Sequence, residues 1–165
     1  HLSLRRQRQM CIRDRFGQFV NSLSGKYITA EDVGSTTADM DLIRDVTPYV
    51  TGISESRGGS GNPSPVTAYG VYMGMKAAAK YQFGTDNLEG KRILVQGIGH
   101  VGETLVELIS KEGALVQITD INEARLQEVG AKYGAQVFNG GDLYSADVDI
   151  YAPVSYTHLT LPTKA

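Results

Sequence analysis

The sequence predicts an α/β fold built on a doubly wound parallel sheet, and three observations predict it. Residues 91–120, KRILVQGIGHVGETLVELISKEGALVQITD, read as a strand, a glycine loop, a helix and a second strand that ends in an acid. Strand and helix patterns continue to alternate after that acid, as they do where helices cover a parallel sheet. A stretch rich in Gly, Ser, Asn and Pro over residues 52–65 separates this region from a shorter α/β segment before it. The expected architecture is the first half of a Rossmann-type sheet, preceded by the end of an α/β substrate domain.

The elements follow in order. Residues 16–23 have the character of the last turns of a helix, stopped at Ser24-Gly25, and residues 26–31 alternate enough to predict a strand. Thr36 can cap the next helix, because Asp39 stands where a capping box needs it and Met40, Ile43 and Val46 form an inward stripe. Pro48 closes that helix. Beyond the glycine-rich stretch, Ser64-Pro65 opens a long helix that runs to about residue 83 and is ended by Gly84. Its Gly70, Gly74 and Ala77 make a smooth face, while Lys76 and Lys80 are expected in solvent.

Ile93-Leu94-Val95 is apolar and largely β-branched, as buried parallel strands are. The helix after the glycine loop should turn Val101, Leu105, Leu108 and Ile109 inward, with Glu107 and Lys111 paired on the wet side. A strand over 115–119, a helix over 122–134, a short strand over 136–138 and a fourth over 148–152 complete the pattern. The last strand should pair beside the first, in the order 3-2-1-4.

Gly97-Ile98-Gly99-His100-Val101-Gly102 is a G-x-G-x-x-G loop set directly between strand and helix, the context that gives the motif meaning. Gly97 permits the tight turn, Gly99 lets backbone approach a pyrophosphate, and Gly102 lets the helix sit close to the sheet. The phosphates would meet free N–H groups at the helix start. Asp120 stands at the tip of the second strand, roughly 20 residues on, where a carboxylate accepts hydrogen bonds from the adenosine ribose. Ile121 follows it on the same edge. A carboxylate there repels a 2′-phosphate, so the expected cofactor is NAD. Arg125, close by in sequence, leaves NADP as the lesser alternative.

Bulk properties narrow the partners. The chain has 165 residues, one cysteine, no tryptophan and a formal charge of −2. Residues 1–15 hold five arginines against one acid, whereas residues 16–153 hold 10 of the Lys+Arg and 17 of the Asp+Glu, a net charge of −7. An acidic body disfavours nucleic acid as a partner, and no apolar run approaches the ~20 residues that would make a membrane one. Residues 1–15 and 154–165 fit the pattern of neither neighbour, so both are expected to be non-native segments with few native-like contacts. Cys11, the lone cysteine, lies in the first of them. That leaves no disulfide within 16–153 and suits a cytoplasmic setting. The expected division is 16–65 for the substrate domain and hinge loop, and 66–153 for the cofactor half-domain. No His/Cys/Asp cluster suggests a metal.

KYITAEDVGSTTADMD over 26–41, YVTGIS over 49–54, SGNPSPVTAYGVY over 60–72 and TDINE over 119–123 together resemble the glutamate/leucine/phenylalanine/valine dehydrogenase family across essentially all of 16–153. The resemblance implies oxidative deamination of an L-amino acid with NAD to a 2-oxo acid, ammonia and NADH, by an enzyme that is a homo-oligomer. T-A-E-D-V-G is closer to the branched-chain and aromatic members than to glutamate-specific ones, so a branched-chain substrate is expected. Asp32 matches the family's acid/base aspartate and Thr67 a threonine that helps hold the nicotinamide. From the residues alone, Asp32 could equally be an ordinary turn aspartate, and Thr67 a first-turn helix residue. Glu31, Asp39 and Asp41 are expected to be structural or capping acids. The family's two lysines, in and just before a G-G-G-K segment, have no counterpart in this chain, nor does the second half of the cofactor domain. The chain is therefore expected to be a fragment, inactive by itself. The competing reading is a non-catalytic NAD-binding or assembly module.

Overall fold

The computed structural model describes residues 2–32 and 34–154, and the chain forms two compact units that divide between Pro63 and Ser64. The predicted tail beyond residue 154 lies outside the described residues.

In the first unit, helix α1 (Leu2–Ser22) runs unbroken through the predicted boundary at residue 16. Arg13, Gly17 and Val20 fall at i, i+4 and i+7, on one helical face. That face meets α2 (Thr37–Arg44): Val20 is fully buried, and a Cβ on Gly17 would stand 3.0 Å from Val46 Cβ. Arg13 Nε donates to Asp39 Oδ1 at 3.0 Å, and its Nη2 donates to the Gly34 carbonyl at 3.4 Å. The expectation that residues 1–15 stand apart therefore fails at Arg13, because helical periodicity carries its side chain onto the packed face.

Helix α2 begins with the predicted capping box. Thr36 Oγ1 accepts from Asp39 N–H at 3.3 Å, and Asp39 Oδ2 accepts from Thr36 N–H at 2.9 Å. Two orphan donors are thus satisfied reciprocally. Met40 and Ile43 are buried with Val50 and Ile53 in a small core. The predicted strand over 26–31 is absent; one parallel bridge, Thr29 to Val50, stands in its place. Alternation alone gave that segment a strand pattern, but only Thr29 bonds across to another extended segment, with Tyr49 O and Thr51 N, while Lys26 N–H turns back to the Leu23 carbonyl.

The glycine-rich stretch is folded onto α2. Asp41 Oδ1 accepts from Ser54 N–H at 2.9 Å, and Arg57, in a 3-10 turn (Glu55–Arg57), donates to the Asp41 carbonyl at 2.8 Å and to Asp45 at 2.5 Å. Glu31 accepts from the Thr37 hydroxyl at 3.0 Å. Glu31, Asp39 and Asp41 all serve as the structural acids expected of them.

The second unit opens with α3 (Ser64–Phe83), which leads to β1 (Arg92–Gln96), α4 (His100–Lys111), β2 (Leu115–Thr119), α5 (Glu123–Tyr133), β3 (Gln136–Val137) and β4 (Ile150–Pro153). All pairings are parallel and the strand order is β3-β2-β1-β4, as predicted. Ile93 stands opposite Val116 on one side and Ile150 on the other. Arg92 fixes that second register: it donates to Asp147 at 2.6 Å and to Asp149 at 3.0 Å, and Asp149 N–H returns a bond to the Arg92 carbonyl. The guanidinium holds the Asp149 carboxyl down to about 2.

The core takes Ile93 and Val95 from β1, Val116 and Ile118 from β2, and Leu105, Val106 and Ile109 from α4. Each such side chain contributes about 1.5–3 kcal/mol by leaving water. The inward face of α4 thus includes Val106, whereas Leu108, expected inside, is only half-buried. From α3 come Ala68, Met75 and Ala79, whereas the smooth face expected from Gly70, Gly74 and Ala77 is exposed, with open space around both glycines. Lys76 departs from expectation. It donates to Glu112 Oε1 at 2.5 Å, and the same carboxylate accepts from the Tyr72 hydroxyl and from Leu88 N–H. One acid thereby joins α3, the end of α4 and the approach to β1.

Candidate functional site

The chain leaves β1 through Gly97, whose φ of +88° is left-handed and whose N–H donates to the Thr119 carbonyl at 2.8 Å. A side chain there would be strained. Gly102 answers a different demand: a Cβ on it would lie 1.9 Å from the Gly97 carbonyl oxygen. Helix α4 can start against the turn only because that atom is missing.

Gly99, the N-cap of α4, has an ordinary φ of −65°, and a Cβ on it would meet nothing within 4 Å. Neither strain nor internal packing calls for glycine there. What glycine leaves is bare backbone facing open space at a helix N-terminus, the geometry a pyrophosphate needs. The residues therefore fit a dinucleotide. His100 is exposed in the first turn of α4, and Val101 is half-buried against the core. Ile98 is fully buried, so its contribution is to hold the loop from beneath.

Asp120 links the loop to the second strand. Its Oδ2 accepts the Ile98 N–H at 2.8 Å, and its Oδ1 accepts the Asn122 N–H at 2.9 Å. Asn122 in turn caps α5, its Oδ1 accepting from Arg125 N–H at 3.2 Å. Each carboxylate oxygen keeps lone-pair capacity beyond one such bond. Ile121 beside it is fully exposed, an apolar surface at the same edge.

A second group, of which the sequence reading singled out only Arg125, lies between α4 and α5. Glu103 in the first turn of α4 accepts from Arg125 and from Lys132, the latter at 3.0 Å. Its hydrogen bond with Lys132 and the nearby Arg125 charge hold its carboxyl below the usual range against the opposing effect of burial. These partners are 22 and 29 residues away, so no local pattern announces them.

Asp32 and Thr67 stand in different units. Asp32 is exposed, in a turn closed by Ser35, whose hydroxyl donates to the Asp32 carbonyl at 2.7 Å and accepts its N–H at 2.8 Å. It was expected at a strand end; the support is this turn instead. Thr67 is exposed in the first turn of α3. Among the described residues no group of His, Cys, Asp or Glu could hold a metal ion, and no helix is long and apolar enough to cross a membrane.

A parallel sheet in this order, with a glycine turn off its first strand and an acid at the tip of its second, defines a protein of the Rossmann class, the fold on which dinucleotides are commonly held. The profile of the Glutamate/Leucine/Phenylalanine/Valine dehydrogenase family matches residues 58–153, more than half of the chain. The chain belongs to that family. It is 58% identical over 138 residues to the leucine dehydrogenase of Bacillus subtilis (strain 168), covering 84% of this chain and 38% of that protein. It is 38% identical over 138 residues to the L-tryptophan dehydrogenase of Nostoc punctiforme, again covering 84% and 38%. The crystal structure of the Nostoc punctiforme L-tryptophan dehydrogenase superposes with a TM-score of 0.63 at 33% identity, covering 87% of this chain and 40% of that one. The hetero-hexameric glutamate dehydrogenase of Thermus thermophilus gives 0.66 at 19% identity, over 90% and 41%, and so shares the fold. The chain spans about 38% of the length of the curated relatives it matches.

Proposed function

We propose that this chain is a segment of an NAD-dependent amino-acid dehydrogenase that converts a branched-chain L-amino acid to its 2-oxo acid, ammonia and NADH. The observation that carries the reading is the 58% identity to a leucine dehydrogenase. In this reading the unit up to Pro63 is part of the substrate domain, and the unit from Ser64 is half of the cofactor domain.

Bound there, a nicotinamide would supply a hydride acceptor. The loop 97–102 and the first turn of α4 would hold the pyrophosphate on N–H groups, and Thr67 would position the nicotinamide. Asp120 would accept from the ribose hydroxyls, and its charge would exclude a 2′-phosphate, which selects NAD. Asp32 exchanges protons with the substrate nitrogen and with the water that adds at Cα, the steps that need a positioned carboxyl group. The whole enzyme works as a homo-oligomer in the cytoplasm.

The test is a chimera in which the aligned part of this chain replaces the matching 138 residues of the Bacillus subtilis enzyme. It should form NADH from leucine, valine or isoleucine. A folded chimera that binds NADH and deaminates none of them would overturn the reading.

A further inference from the structure

Arg125 stands two hydrogen bonds from Asp120 at the ribose edge, with Asn122 between them. Its N–H donates to Asn122 Oδ1 at 3.2 Å, and Asn122 N–H donates to Asp120 Oδ1 at 2.9 Å. An arginine in the first turn of the helix after β2 has the chemistry a 2′-phosphate needs, since its planar fork pairs with phosphate oxygens through two N–H bonds. Its guanidinium is turned toward α4 instead. Nη2 donates to Glu103 Oε2, and Nη1 donates to Glu128 Oε2 at 2.9 Å.

The two acids are not equal anchors. The Glu128 side chain is 63% exposed, and an ion pair of that kind holds little. The Glu103 side chain is 19% exposed and is met from a second side, its Oε1 accepting at 3.0 Å from Lys132, itself 56% exposed, with the Tyr133 hydroxyl shared between Glu103 Oε1 at 3.4 Å and Glu107 Oε2 at 3.3 Å. Oε2 is left to Arg125. A carboxylate braced on one oxygen by α5 and bonded to Arg125 through the other makes a stationary counter-charge.

The geometry points to Glu103 as a positioning residue for cofactor choice: it holds the Arg125 guanidinium against α4, so that Arg125 does not answer a 2′-phosphate beside Asp120. This rests on the reading of the glycine loop as an NAD site and adds a second device to it. Asp120 repels the phosphate, while Glu103 withholds the cation that would attract it.

Calorimetric titration of the 165-residue chain with ADP-ribose and with 2′-phospho-ADP-ribose tests this. The background is Asp120→Asn, which removes the repelling charge and keeps an acceptor for Ile98 N–H while giving up the one for Asn122 N–H; every comparison is made within that background, so this loss is common to all. There, Glu103→Gln should tighten 2′-phospho-ADP-ribose about tenfold, the worth of one charge-assisted hydrogen bond, with ADP-ribose changed less than about twofold. Adding Arg125→Ala should erase the gain. No gain, or a gain that survives Arg125→Ala, overturns the proposal, the latter because loss of negative charge alone would then explain it. Arg125→Ala by itself in the same background is a second check that leaves Glu103 in place. It should leave 2′-phospho-ADP-ribose binding unchanged, and a clear loss would show that Arg125 already reaches the phosphate. If the unsubstituted chain binds ADP-ribose no better than a glycine-loop variant, the NAD-site reading fails with it; a failure confined to Glu103 and Arg125 leaves that reading standing.

Discussion

Asp120 Oδ2 accepts the Ile98 N–H at 2.8 Å across 22 residues of chain. The acid proposed to select the cofactor is therefore also a structural tie that holds the glycine turn to the end of β2. Selectivity and loop shape rest on one side chain.

Replacing that acid should separate the two roles. Asp120→Ala leaves the Ile98 N–H without its acceptor and should cost about 1–3 kcal/mol of stability. Asp120→Asn keeps an acceptor for the Ile98 N–H but turns an amide NH2 toward the Asn122 N–H, so it should cost less than alanine without being neutral, and both should narrow the preference of the chimera for NAD over NADP. Urea unfolding of the two variants, with kcat/KM for each cofactor, checks this. Equal losses of stability would show that the tie is unimportant.

The same change at two glycines should have opposite effects. Gly102→Ala places a methyl 1.9 Å from a backbone carbonyl that cannot move without moving the turn, and should cost about 3 kcal/mol or more. Gly99→Ala meets nothing within 4 Å and should leave stability within about 0.5 kcal/mol. It should weaken NADH binding at least tenfold, because the methyl fills the approach to the pyrophosphate. Thermal melting and NADH titration separate the two. A Gly99→Ala chain that binds NADH normally would remove the loop from the cofactor site.

Asp32→Asn in the chimera should lower kcat by about 10²–10⁴, the worth of a positioned acid/base group. The NADH dissociation constant should hold, because Asp32 belongs to the unit without the glycine loop. Turnover within a few-fold of the parent would leave Asp32 as a residue of the Ser35 turn.

Acid should loosen the second unit through Glu112. Burial pushes this carboxyl up, but Lys76, the Tyr72 hydroxyl and Leu88 N–H together outweigh it, and the net shift is down from 4.5. A folded pKa below the unfolded one gives stability that is full above the unfolded value and is lost as pH falls through the folded value. Glu112→Gln should cost about 1–3 kcal/mol near neutral pH and flatten the fall in stability below about pH 4.5. Urea midpoints measured from neutral pH down to about pH 3 check it. An unchanged slope below about pH 4.5 would assign the acid sensitivity to other groups.

What was legible in the sequence was whatever local pattern controls. The buried run 93–95, the capping box at Thr36 and the strand order all follow from residues close in sequence or from the topology such units adopt. The misses share a different cause. Lys76 meets Glu112 across 36 residues, and Arg13 meets Asp39 across 26, so periodicity placed each lysine or arginine without showing its partner. Residues 26–31 carried an alternating pattern, yet a strand needs a neighbouring edge, and only Thr29 has one. In the candidate site, Asp120 was readable from its spacing, but its bond to Ile98 and the grip of Glu103 on Arg125 exist only once the loop has folded.

Gly102 and Gly99 sit three positions apart in one motif, and they answer to different masters over evolutionary time. Gly102 is required by its own polypeptide, whose carbonyl at Gly97 already fills the space a methyl would need. Gly99 is free of any such internal demand, and in the proposed site it answers only to a guest. A descendant that gave up the nucleotide for a scaffolding role would be free to drift at Gly99 while Gly102 stayed put, since selection on folding alone would keep it. The pair thus works as a genealogical marker: loss of the second glycine of the motif with retention of the third identifies a branch that has kept the architecture and abandoned the ligand.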